Sequence, residues 1–120
     1  MLHVLVVDDD PDILDALRFV LEESGFKVIT SQNGEYAQKL PKAKKLPQLI
    51  ILDVLLSGKD GRDICRLLKR SQKTKNIPII MISAHPNIEK SVLAAGATAF
   101  IPKPFDVDEL LQAINRALEV

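Results

Sequence analysis

Apolar residues along the chain follow two alternating periodicities. Continuous runs at Val4-Leu5-Val6-Val7, Leu49-Ile50-Ile51-Leu52 and Ile79-Ile80-Met81-Ile82 have the length and composition of strands buried on both faces of a parallel sheet. Phe26-Lys27-Val28-Ile29-Thr30 and the region around Ala99-Phe100-Ile101 are less apolar strand candidates. Between these runs the apolar positions take helical spacing. Ile13, Leu14, Leu17, Val20 and Leu21 predict a first helix, with Asp10 as its N-cap, Pro11 at N1 and Gly25 at C′. A short second helix uses Tyr36, Ala37 and Leu40 and should stop at Pro41, followed by a solvated connection, Lys42-Ala43-Lys44-Lys45. The third places Ile64, Leu67 and Leu68 inward, the fourth runs from about Pro86 to Ala95 before Gly96, and the fifth buries Val107, Leu110, Leu111, Ile114 and Leu118. The expected fold class is α/β: a (βα)₅ doubly wound, five-stranded parallel sheet forming one domain over residues 1–120.

The polar residues at the ends of the apolar runs carry the chemistry. Val7 leads into Asp8-Asp9, Leu52 into Asp53, Ile82 into Ser83, and Ile101 through Pro102 to Lys103. In open α/β sheets ligands bind beyond the carboxyl ends of the strands. Right-handed crossovers with one reversal of strand order set the first and third strand ends side by side, which brings Asp8-Asp9 beside Asp53. Carboxylates packed together stay ionised only when a cation offsets them, and carboxylate oxygens with water suit Mg²⁺. One carboxylate could act as a nucleophile forming an aspartyl-phosphate, with Lys103 and the Ser83 hydroxyl facing the phosphoryl group. Each piece also has a plainer reading: Asp10 as a helix cap, Asp60 and Asp63 as acids favoured at a helix start, Lys103 as a surface loop residue, Ser83 as a turn residue. Their joint position at the ends of different strands is what structure alone explains poorly.

Composition narrows the classes. Sixteen basic and sixteen acidic residues cancel, so no global field favours nucleic acid or anionic membrane. No apolar stretch approaches the roughly 20 residues of a membrane span. Met1-Leu2-His3 does not open a secretory signal, so a cytoplasmic setting is expected. The single cysteine, Cys65, leaves no internal disulfide and reads as a small residue packed on a helix rather than a reactive thiol.

The chain resembles the receiver domain of two-component response regulators over essentially its whole length. The resemblance rests on Val6-Val7-Asp8-Asp9-Asp10-Pro11, Leu52-Asp53-Val54-Leu55-Leu56, Asp60-Gly61, Ile82-Ser83-Ala84, Gly96-Ala97 and Pro102-Lys103-Pro104-Phe105, in order and with family-like spacing. It implies a flavodoxin-like sheet of order 2-1-3-4-5. It implies that Asp53 is the phosphoacceptor, charged by a histidine kinase or histidine phosphotransfer protein. Mg²⁺ would be bound by Asp9, Asp53 and the backbone carbonyl of Leu55, and by Asp8 through water. Ser83 would be the switch hydroxyl, Lys103 its partner at the phosphate, and Phe100 the switch aromatic that turns inward. Such a domain catalyses only its own phosphorylation and dephosphorylation. It would shift a two-state equilibrium and alter a face containing Glu89, Lys90, Phe100, Glu109 and Arg116. The Lys103-Pro104 bond is commonly cis in the family.

Departures from the pattern matter. Many receivers carry Met-Pro-Gly-Met-Asp-Gly where this chain has Leu56-Ser57-Gly58-Lys59-Asp60-Gly61. Ser57 in place of Pro frees φ and restores an N–H, so a more mobile loop is expected. Leu55 and His85 flank the path of attacking water; Leu55 cannot orient water, and His85 reads as a surface histidine at a helix start. Thr98-Ala99 stands where winged-helix regulators often carry an acidic pair. These features favour a stand-alone, chemotaxis-type receiver that docks a downstream protein, without direct nucleic-acid binding or membrane insertion. The alternatives are the N-terminal receiver of a longer regulator and a degenerate receiver that only binds partners. An aspartate-nucleophile phosphohydrolase lacks its second Asp at Leu55, and a flavin or nucleotide carrier lacks a Gly-rich phosphate loop after the first strand.

Overall fold

The computed structural model describes residues 2–119. Five strands, β1 (His3–Val7), β2 (Lys27–Ser31), β3 (Leu49–Asp53), β4 (Ile79–Ser83) and β5 (Ala99–Pro102), alternate with α1 (Pro11–Glu23), α2 (Glu35–Gln38), α3 (Gly61–Arg70), α4 (Glu89–Ala94) and α5 (Val107–Leu118). The sheet order is β2-β1-β3-β4-β5, and every pairing is parallel. This is the doubly wound, flavodoxin-like fold expected from the sequence.

Strand alternation divides the core into two layers. Leu5, Val7, Ile50, Leu52, Ile79 and Met81 face α2, α3 and α4. Val4, Val6, Leu49, Ile51, Ile80 and Ile82 face α1 and α5. The β3 and β4 runs are fully buried because both faces are covered, which is why they read as unbroken apolar runs.

Register positions the sheet edge. Val7 pairs with Leu52, Asp53 with Ile82 and Ser83 with Pro102. Asp8 and Lys103, one step beyond β1 and β5, therefore sit near Asp53, the last residue of β3. Asp10 caps α1 by accepting from Asp12 N, with Pro11 at the first helical position, and Gly25 follows with φ +94°. The Lys103–Pro104 bond is cis.

Several local expectations differ from the structure. Strand β2 lies one residue later than its apolar run. The second helix ends at Gln38, and Pro41 sits inside a following 3₁₀ turn, Leu40–Lys42, whose early positions need no proline N–H. Tyr36, assigned to the helix as an apolar position, is exposed because so short a helix covers little of the sheet. Helix α4 starts at Glu89 rather than near Pro86; Asn87 takes φ 63°, a left-handed conformation incompatible with helix. On α3 the buried side chain beside Ile64 and Leu68 is Cys65, with Leu67 half-buried. On α5 Val107 is exposed and Ala113 is buried in its stead. The loop after Asp53 forms a two-stranded antiparallel ribbon, Leu55–Leu56 with Lys59–Asp60. Among the described residues no helix is long and apolar enough to cross a membrane.

Candidate functional site

Three strand ends build the site. Asp8, one step past β1, is fully buried. One of its carboxylate oxygens accepts from the Asp10 N–H at 2.9 Å, and the other accepts from Lys103 Nζ at 2.9 Å. Asp9 is exposed, and Asp53 closes β3 with 5% exposure. Asp8, Asp9 and Asp53 each offer a carboxylate oxygen, and these oxygens all lie within 4.8 Å of one another.

Lys103 reaches the cluster from the turn after β5. Its Nζ lies 3.4 Å from Asp53 Oδ2 in addition to its bond with Asp8. Its backbone N–H donates to the Ser83 carbonyl at 2.8 Å, which ties the β5 exit to the end of β4. Burial pushes the Lys103 ammonium down, but the hydrogen bond to Asp8 and the two carboxylate charges outweigh it and leave the pKa raised.

Asp53 is held away from its ordinary state. Burial, and then the charge on Asp8, push its pKa up to about 6 from 3.8, against the lowering pull of Lys103 and the Leu55 backbone. Hard oxygen donors converging with a charge excess are the donor chemistry of a small divalent cation. The residues present therefore fit Mg²⁺ by ligand type and by their unbalanced charge.

Ser83 is 2% exposed, and its Oγ accepts from the His85 N–H at 3.1 Å. The His85 side chain is exposed, as expected, but it stands in the loop before α4 rather than at a helix start. Leu55, two residues past Asp53, is 47% exposed.

The loop after β3 is pinned on its far side. The Gly61 N–H donates to the Val54 carbonyl at 2.6 Å. A Cβ at Gly61 would collide with the Asp53 backbone carbonyl and the Met81 side chain, so only glycine allows this approach. Asp60, expected only as an acid favoured at a helix start, caps α3 by accepting from the Arg62 N–H. Arg62 also grips the Asp60 carboxylate and donates from Nη1 to Ser91 Oγ of α4 at 3.0 Å. The sequence carries no sign of that arginine link, because nothing local to Ser91 signals it.

Ser57 does more than the sequence suggests. Expected only to loosen the loop, it donates from Oγ to Asp9 Oδ2 at 3.2 Å across 48 positions of sequence, a partner that only the folded register supplies.

Phe100 is half-buried on β5, packed against the α2–α3–α4 layer. With Glu89, Leu93 and Arg116 it lines a groove of about 360 Å³ between α4 and α5. Lys90 and Glu109, the other residues expected on this face, are exposed and outside that groove.

The family model described as the response regulator receiver domain matches residues 4–115. The DNA-binding dual master transcriptional regulator RpaA of Synechocystis sp. is 35% identical over 120 residues, 98% of this chain and 49% of the relative. The nitrogen assimilation regulatory protein NtrX of Azorhizobium caulinodans is 39% identical over 120 residues, covering 97% of this chain and 26% of its own length. The chain thus spans between about half and a quarter of these relatives. Among solved structures, the chemotaxis response regulator CheY4 of Vibrio cholerae superposes with a TM-score of 0.88 at 30% identity, covering 98% of this chain and 99% of that one. The receiver domain of a signal transduction histidine kinase from Syntrophus aciditrophicus gives 0.88 at 32% identity, over 98% and 90%. With the family model spanning nearly all of the sequence and the fold shared with these structures, the chain belongs to the response regulator receiver domains of two-component systems.

Proposed function

We propose that this chain is a phosphorylation-dependent switch whose acceptor is Asp53. The observation that carries the reading is a buried carboxylate, surrounded by Asp8, Asp9 and Lys103, at the end of the central strand. An Asp53 carboxylate oxygen attacks the phosphorus of a phosphohistidine on a kinase or phosphotransfer protein. The O–P bond forms as the N–P bond breaks, and the electron pair returns to the imidazole nitrogen. Lys103 supplies an ammonium, already oriented by Asp8, to the charge on the phosphoryl oxygens. The Ser83 hydroxyl, at the adjacent strand end, donates to the same group. Asp8, Asp9, Asp53 and the Leu55 carbonyl would hold Mg²⁺, which neutralises carboxylate and phosphoryl charge when bound.

The domain catalyses only its own phosphorylation and dephosphorylation. Its readout is the α4–β5–α5 face, where Phe100 is the switch aromatic and a downstream protein docks. The longer relatives favour a second setting, in which the same face contacts an output domain of one larger regulator. In either setting the protein works in the cytoplasm.

Intact-mass spectrometry after incubation with Mg²⁺ and acetyl phosphate tests the acceptor. A labile gain of one phosphoryl group in the wild type, absent from Asp53→Asn, is expected. A gain retained by Asp53→Asn, or none from either acetyl phosphate or phosphoramidate with folded protein, would overturn the assignment.

A further inference from the structure

A second concavity lies at the opposite end of the sheet from the aspartates. The starts of β1 and β2 and residues 45–48, leading into β3, enclose a cleft of about 570 Å³. It exists because the second helix is only four residues long and leaves the outer part of the sheet uncovered. That volume is in the range of small-molecule sites.

Its walls are apolar and partly bare. Leu5 forms the floor and Leu46 and Pro47 one wall. Ile29 and Tyr36, which face them, are 38% and 46% exposed. The wall is tied in place rather than loose: the His3 N–H donates to Gln48 Oε1 at 2.6 Å, and the Gln48 N–H donates to the His3 carbonyl at 2.9 Å.

Its charge is one-sided. Lys27 and Lys45 line the cleft and no acidic residue does. Among the described residues neither lysine has an ion-pair partner. In a chain with equal numbers of acids and bases, this is a local cationic excess over an apolar surface.

We propose that this cleft binds a small anion with a flat apolar body, of the aromatic carboxylate class. The ring would remove Ile29 and Tyr36 from water, and the carboxylate would face Lys27 and Lys45. A bare inorganic anion gains nothing from the apolar walls. The proposal does not rest on phosphorylation of Asp53.

Amide chemical shifts of the ¹⁵N-labelled chain, titrated with 2-naphthoate and separately with uncharged 2-naphthalenemethanol, provide the test. Saturable shifts confined to His3, Lys27, Ile29, Tyr36 and Gln48 are expected for naphthoate, equally in wild type and Asp53→Asn. The neutral analogue should bind about tenfold more weakly, and Lys27→Gln with Lys45→Gln should weaken naphthoate by a similar factor. Both lysines are exposed, so the rest of the spectrum should be unchanged. Equal affinity for both compounds, shifts at the Phe100 groove instead, or no saturation up to the solubility limit would overturn the proposal.

Discussion

Asp53 is pulled two ways: the fold buries it beside Asp8, and the proposed phosphoryl transfer requires it ionised. Its pKa of about 6 in the folded chain exceeds the ordinary 3.8, so without a divalent cation the folded state keeps the proton up to about pH 6, where the unfolded chain has already lost it. Between those values the native state binds the extra proton, and stability falls as pH rises. The penalty is therefore absent below about pH 4 and complete above about pH 6. In chelator at pH 7, Asp53→Asn is expected to raise stability by at most about 3 kcal/mol. The gain should vanish near pH 4 and shrink when Mg²⁺ is added, by linkage. Urea titrations of the two proteins across that range check it; a gain independent of pH would sink the explanation. Much of this site was legible in sequence, because Asp8, Asp9 and Asp53 each end or follow an apolar run. Ser57 was not, since its bond to Asp9 links distant segments.

At the scale of elements, the exit of α3 shows how a short polar segment steers a strand. Thr74 is fully buried, and its hydroxyl donates to the Leu68 carbonyl at 2.6 Å, one of the orphan acceptors at a helix C-terminus. Lys69 Nζ donates to the Ile77 carbonyl at 2.6 Å and the Lys75 carbonyl at 3.2 Å, and burial pushes its pKa down. Together they aim the chain into β4, whose last residue is Ser83. Thr74→Val keeps the side-chain shape but leaves the Leu68 carbonyl with only the longer bond from the Ser71 N–H at 3.3 Å. The lost hydrogen bond should cost about 0.5–1.5 kcal/mol, read as a lower urea midpoint at unchanged slope; a loss under a few tenths would refute this role. Neither Thr74 nor Lys69 announced itself, because their partners are backbone carbonyls set by the loop's path. The late start of α4 was hidden for a related reason. Pro86 is compatible with a helix start, and the left-handed Asn87 appears only in the folded loop.

For the whole molecule, one parallel register links the two ends of the proposed switch. Ser83 pairs with Pro102, and Phe100 pairs with Met81 on the same two strands. Displacement of Ser83 toward a phosphoryl group is thus one strand away from the groove of Glu89, Phe100 and Arg116. Loading Asp53 with beryllofluoride and Mg²⁺ is expected to move the amide resonances of that groove as well as those of the site. Shifts confined to the strand ends would show that the acceptor is uncoupled from α4 and α5. Local sequence determined the strand–helix alternation, the caps at Asp10 and Asp60, and which residues end the central strands, because apolar periodicity and capping act over a few neighbouring residues. Tertiary structure alone decided the contacts of Ser57, Arg62 and Thr74, the exposure of Tyr36 and Val107, and the cleft beside the short second helix. These depend on distances between segments far apart in the chain, which packing and register set.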